Sequence, residues 1–258
     1  MNIEYITCSG IYEGNAIEDI IYISKIYPRI EFAVQVSREK FYQRSERYEF
    51  FRALVAACTM NDVNLAMHIN LEYRTDLCRG ILPDILRELW DIKRCKGTQH
   101  AGNPVVGRVQ ININGGKDTF RFNARKLADI IRAYPDIKFI LQYAPTQRKR
   151  VCKLDEQGVP FSLLYDTSCG RGESGRDSWG KIILPNHQVG YAGGLNPYNI
   201  DENLDYIYTL LPNGSTWVDA ESGLKDPEIK KFSMALAEQY VKHVYMYENK
   251  HACQKGVA

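Results

Sequence analysis

The chain has 258 residues, long enough to bury a large core, and its 45% hydrophobic and 25% charged content fits a globular protein rather than a long disordered one. A formal net charge of +2 gives no electrostatic reason to expect nucleic acid or an anionic membrane as partner. No run approaches ~18 consecutive apolar residues, so no membrane-spanning helix is expected. The opening Met1-Asn2-Ile3-Glu4-Tyr5 lacks the basic and apolar regions of a secretion signal. Seven scattered cysteines without a CxxC pair suggest neither a zinc knuckle nor a redox motif, and the expectation is reduced thiols in a cytoplasmic protein.

Short apolar runs at 3–7, 30–36, 64–70, 105–113, 137–143, 161–166, 189–191 and 216–219 predict strands. Segments between them predict helices over 16–26, 46–60, 82–92, 123–134, 146–156, 177–184, 197–211 and 226–247. Two helix starts carry a capping side chain followed by proline: Asn196 before Pro197, and Asp226 before Pro227 and Glu228. Repeated alternation implies parallel strands, because each crossover helix returns the chain to the same edge. A doubly wound open sheet would show the same alternation. The unit count and a length near the usual ~250 residues favour an α/β fold of the (β/α)8 TIM-barrel type, one domain over 1–258. The long connection at 93–104 falls on the helix-to-strand face, where no chemistry is expected.

Barrel sites lie at the C-terminal strand ends, and phosphates commonly sit in the loops after strands 7 and 8. Those loops read Ala192-Gly193-Gly194-Leu195-Asn196-Pro197 and Asp219-Ala220-Glu221-Ser222-Gly223. Paired glycines let backbone N–H groups approach an anion without Cβ obstruction, and a helix starting near Pro197 would aim its positive end there. Gly193, Gly194, Leu195, Ser222 and Gly223 are therefore the candidate phosphate-binding residues. Glu221 dissents, since a carboxylate beside a phosphate repels it unless it points away.

Four ordered motifs then carry a resemblance: Leu163-Leu164-Tyr165-Asp166-Thr167, Gly172-Glu173-Ser174-Gly175-Arg176-Asp177-Ser178-Trp179, Gly193-Gly194-Leu195-Asn196-Pro197-Tyr198-Asn199, and Val218-Asp219-Ala220-Glu221-Ser222-Gly223. In this order they resemble the phosphoribosylanthranilate isomerase family of tryptophan biosynthesis. Upstream, Val109-Gln110 and Arg44-Ser45-Glu46-Arg47-Tyr48 are in register with it. The resemblance implies an Amadori rearrangement of an aminoaldose phosphate to an aminoketose phosphate, with no cofactor or metal. An acid opens the ribose ring and a base removes the C2′ proton.

Asp166 is similar to the family's general acid, at the rim of what should be a mostly apolar barrel. The family's base is a cysteine at the end of strand 1, and this chain reads Thr7-Cys8-Ser9-Gly10-Ile11. Aligning the cysteine selects Cys8; aligning Gly10-Ile11 selects Ser9. Adjacent strand residues face opposite ways, so only one lines the mouth. A thiol can ionise, whereas an unassisted serine hydroxyl cannot act as base at neutral pH, which favours Cys8. Arg47 resembles the arginine that holds the anthranilate carboxylate, with Arg38 as rival. The glycine-rich segment 172–175, flanked by Arg171 and Arg176, looks like a lid. The expected partner is a small phosphorylated substrate, with no nucleic acid and no membrane. The alternative is a non-catalytic or divergent barrel that keeps only the phosphate site. A metal hydrolase is disfavoured because His68 stands alone in its strand, and a Schiff-base aldolase because Lys138 falls at the wrong end of strand 5. The basic run at 147–150 reads as a solvated helix face.

Overall fold

In a computed structural model, which describes residues 1–113, 122–166, 176, 179–180, 182–212 and 214–255, the eight parallel strands close into one barrel in sequence order. They are β1 (Asn2–Ile11), β2 (Ile30–Val36), β3 (Asn64–Ile69), β4 (Val106–Ile111), β5 (Lys138–Tyr143), β6 (Ser162–Tyr165), β7 (Val189–Ala192) and β8 (Ser215–Ala220). The helices are α1 (Ile17–Ile26), α2 (Glu46–Ala57), α3 (Leu71–Cys78), α4 (Asp84–Trp90), α5 (Ala124–Ala133), α6 (Arg148–Asp155), α7 (Ile200–Leu210) and α8 (Met234–Lys255). The fold is the expected (β/α)8 barrel. None of the helices in the described residues is long and apolar enough to cross a membrane.

Strand parity separates two environments. Ile6, Cys8 and Ile11 of β1 join the large apolar core between sheet and helices, as do Phe32, Val34 and Val36 of β2. The opposite parity faces the interior, where Ile140, Leu164, Ala192 and Trp217 form a small second cluster with Tyr5 packed on it. Gly190 makes room for that indole, because a Cβ there would lie 2.1 Å from the Trp217 ring.

The interior corrects the expectation of a mostly apolar barrel. Arg108 donates to Glu31 at 2.8 Å, Thr7 donates to the same carboxylate at 2.8 Å, and the guanidinium lies over the rings of Tyr5 and Trp217. A buried carboxylate is tolerated only when charge and hydrogen bonds compensate its lost hydration. Even so, burial raises the pKa of Glu31, and Arg108 and Thr7 oppose the rise.

Four local expectations change. An unforeseen helix, α3, follows β3 directly, with Leu71 at φ 47° turning the chain into it. Of the helix expected at 177–184, residues 177, 178 and 181 lie outside the described residues, and Trp179, Gly180 and 182–184 are not helical. Asn196 caps a turn, accepting from the Tyr198 N–H at 2.9 Å, and α7 begins only at Ile200. Asp226 likewise accepts from the amides of Glu228 and Ile229, so the chain reverses through Lys230 (φ 55°) before α8 starts at Met234. A short polar side chain beside proline encodes a tight turn as readily as a helix start.

The 93–104 connection sits at the strands' N-terminal face. Arg94, buried there, donates to the carbonyls of Cys58, Asn61, Val63 and Val105. It braces loops.

Candidate active site

The residues that meet at the C-terminal mouth come from the inward parity of β1, β3, β5, β6 and β8. Ser9 donates to Asp219 Oδ1 at 2.6 Å. His68 Nε2 stands 3.8 Å from Asp219 Oδ2. Across the mouth, Gln142 donates to Asp166 Oδ2 at 2.6 Å. Asp166 and Asp219 are each 6% exposed, so both carboxyls are withdrawn from bulk water.

Burial dominates the electrostatics at β8. The Asp219 carboxyl is pushed up to about 8, first by desolvation and then by the nearby Glu221, Glu31 and Asp166, against the hydrogen bond from Ser9. Burial, helped by Arg108, drives His68 down to about 3. At neutral pH the carboxyl is largely protonated and the imidazole neutral, so their 3.8 Å approach is a contact of uncharged groups despite its ion-pair geometry.

Cys8 is corrected as the base. Its side chain lies in the apolar shell facing α8, not at the mouth, and it is fully buried. Desolvation, with Asp219 and Glu31 behind it, raises the thiol well above its usual value, so a thiolate is suppressed there. Ser9 keeps the inward parity of Thr7, and the bulge beyond it, where Gly10 adopts φ 104°, turns Ile11 out into the apolar shell. Asp219 was legible only as part of a loop motif. The missed signal is parity, since a carboxylate at an inward strand position next to an apolar outward residue must have a partner.

The β7 and β8 loops are pressed together. Gly193 and Gly194 adopt φ 111° and 69°, conformations that disfavour any side chain. The Gly194 carbonyl accepts from the side-chain amides of Asn196 and Asn199 at 3.1 and 2.9 Å. In a trans peptide this turns the Leu195 N–H the opposite way. A Cβ on Gly223 would fall 2.2 Å from the Leu195 oxygen and 2.5 Å from Asn196 Cβ, so only glycine fits between the loops. Among the described residues, the N–H groups of Gly194, Leu195, Ser222 and Gly223 donate to no backbone carbonyl. Glu221 turns away from this cradle, accepting from Gln35 on β2 at 2.9 Å and pairing with Lys225 at 3.2 Å. Its expected repulsion is thereby relieved.

The barrel as a whole is similar to several solved structures. A phosphoribosyl anthranilate isomerase from Thermus thermophilus superposes with TM-score 0.54 at 14% identity, covering 94% of this chain and 98% of its own. A native KDPGal structure gives 0.51 at 12%, covering 96% and 98%. The phospho-2-dehydro-3-deoxyheptonate aldolase (DAHP synthase) of Thermotoga maritima gives 0.52 at 9%, covering 95% and 70%. No protein-family model and no curated protein matches the sequence. At these identities the likeness establishes the barrel.

Arg47 and Arg38 do reach the mouth side of β1–β3, but each has a carboxylate. Arg47 Nε contacts Glu13 at 2.5 Å, and Arg38 contacts Asp76 at 2.5 Å. The 172–175 lid expectation lies outside the described residues. Arg176 pairs with Glu202 and lies over Tyr206. No cluster of three or more His, Cys, Asp or Glu side chains suited to a metal occurs among the described residues.

Proposed function

We propose that this chain is a cytoplasmic sugar-phosphate isomerase of the phosphoribosylanthranilate isomerase type, which converts an aminoaldose phosphate to an aminoketose phosphate. One observation carries the reading: two withdrawn carboxyls, Asp166 on the end of β6 and Asp219 on β8, flank glycine loops whose amides donate to no backbone carbonyl among the described residues. The phosphate sits against the backbones of Gly193, Gly194, Leu195, Ser222 and Gly223. Asp166 protonates the ring oxygen. Ser9 occupies the position aligned with the family's cysteine, and its 2.6 Å bond to Asp219 supplies what a lone serine lacks, an acceptor for its proton. The ionised Asp219 is the base, acting through Ser9, and a base with a pKa near the working pH combines availability with driving force.

The substitution of serine for the family's cysteine also favours a second reading, a barrel that binds a phosphorylated ligand without turning it over. The two separate in D2O with the glycosylamines formed from ribose 5-phosphate and either anthranilate or glycinamide. Isomerisation with loss of the C2′ hydrogen and deuterium entering C1′ of the aminoketose, lost in Asp166→Asn while inorganic phosphate still binds, is the expected result. Phosphate binding with no deuterium at C1′ of product and none at C2′ of recovered substrate selects the second reading.

A further inference from the structure

The wall of the mouth opposite the phosphate loops carries a feature that the acid–base chemistry does not use. Gln110 donates to Asn112 Oδ1 at 2.8 Å, and Asn112 donates to Asn70 Oδ1 at 2.5 Å. Asn70 donates to Gln35 Oε1 at 2.5 Å, and Gln35 donates to Glu221 Oε2 at 2.9 Å. Four carboxamides from the ends of β4, β3 and β2 thus form one chain ending on a carboxylate of the β8 loop. Its direction is fixed chemically. Glu221, paired with Lys225, can only accept. Gln35 must therefore present its NH2 to Glu221 and its oxygen to Asn70, and the same logic orients each amide upstream.

A carboxamide has two N–H donors and two lone pairs, and the chain consumes one of each at Gln35, Asn70 and Asn112. Asn70 spends its second N–H on the His68 carbonyl at 3.3 Å and is left a lone pair, while Gln35 and Asn112 show no second side-chain bond among the described residues; all three are half-buried, so these groups are within reach of a ligand in the mouth. An apolar ring laid against this wall would strip water from those groups without replacing its hydrogen bonds. Arg47 and Arg38, the two arginines considered for an aryl carboxylate, are meanwhile engaged by Glu13 and Asp76.

We infer that the substituent on the substrate's nitrogen is an uncharged hydrophilic group that both donates and accepts hydrogen bonds, bound by Gln35, Asn70 and Asn112, rather than an aryl carboxylate. The inference rests on the sugar-phosphate reading given above and specifies the end of the substrate that the phosphate loops do not hold.

Two stable probes test it, made by reductive amination of ribose 5-phosphate with glycinamide and with anthranilate. They share the phosphoribityl arm and differ only in the nitrogen substituent. Titration calorimetry should show the glycinamide probe binding at least tenfold more tightly than the anthranilate probe. Asn70→Leu and Asn112→Leu each remove one carboxamide at nearly constant volume and add no charge, and both leave the Gln35–Glu221 bond in place. Each should erase most of that preference while leaving affinity for inorganic phosphate within about twofold, which also shows that the barrel is folded. Equal or tighter binding of the anthranilate probe by the wild-type protein overturns the inference. So does a preference that survives in both variants. If inorganic phosphate fails to bind the wild-type protein, the sugar-phosphate reading itself falls, an outcome distinct from a reversed probe preference.

Discussion

Replacing Asp219 with asparagine should make the protein more stable while removing its chemistry, and the gain should grow with pH. The carboxyl rises from 3.8 to about 8 on folding, so between those values the native state keeps a proton that the unfolded chain has released. Wild-type stability therefore falls as pH rises through this window and levels off above about 8. At about 1.4 kcal/mol per pH unit, the accumulated cost is roughly 2 kcal/mol at pH 5 and at most about 5 kcal/mol at pH 8. Asparagine carries no such penalty, and its Oδ1 can still accept from Ser9. Any pH-independent difference between an acid and an amide cancels when the two pH values are compared, as do the other titrating groups common to both proteins. Urea unfolding followed by the fluorescence of Trp217 and its fellow tryptophans should thus show the advantage of Asp219→Asn widening by about 3 kcal/mol from pH 5 to pH 8. A difference that stays flat, or narrows with rising pH, would refute a buried carboxyl with a raised pKa.

Further outcomes follow from the same geometry. The pH profile of kcat/KM should climb through about 8 as Asp219 ionises, and a profile already level at pH 6 would remove Asp219 from the base role. Gly223→Ala must push a Cβ against the Leu195 oxygen, so inorganic phosphate affinity should fall at least about tenfold, measured by calorimetry, with a lowered Tm. Cys8→Ala deletes a group from the apolar shell; turnover should stay within about twofold while unfolding is eased by about 1 kcal/mol. A loss of turnover on the scale of ~100-fold would restore the thiol as base.

Much of the barrel could be read from the chain because strand interiors are continuous apolar runs. Residues 30–36 coincide with β2 as observed. Helix α3 escaped because its sequence, Leu-Glu-Tyr-Arg-Thr-Asp-Leu-Cys, has almost no amphipathic periodicity and follows β3 after one residue. The choice between Cys8 and Ser9 turned on the facing of β1, with Thr7 and Ser9 inward and Cys8 outward, and a register shift of one residue exchanges the two faces of a strand. Site partners were less legible still. Ser9 meets Asp219 across 210 residues of sequence, and Glu31 meets Arg108 across 77, distances over which no local pattern signals a contact. The glycine loops after β7 and β8 were readable because glycine at a backbone crossing leaves its mark in the sequence itself.

The stacked Arg108, clasped by Glu31 and roofed by Tyr5 and Trp217, has a kinetic consequence. It makes the barrel a cup and not a pipe. A ligand that enters past the amide wall has to back out by the same route, and in the proposed reaction product and substrate therefore share one doorway.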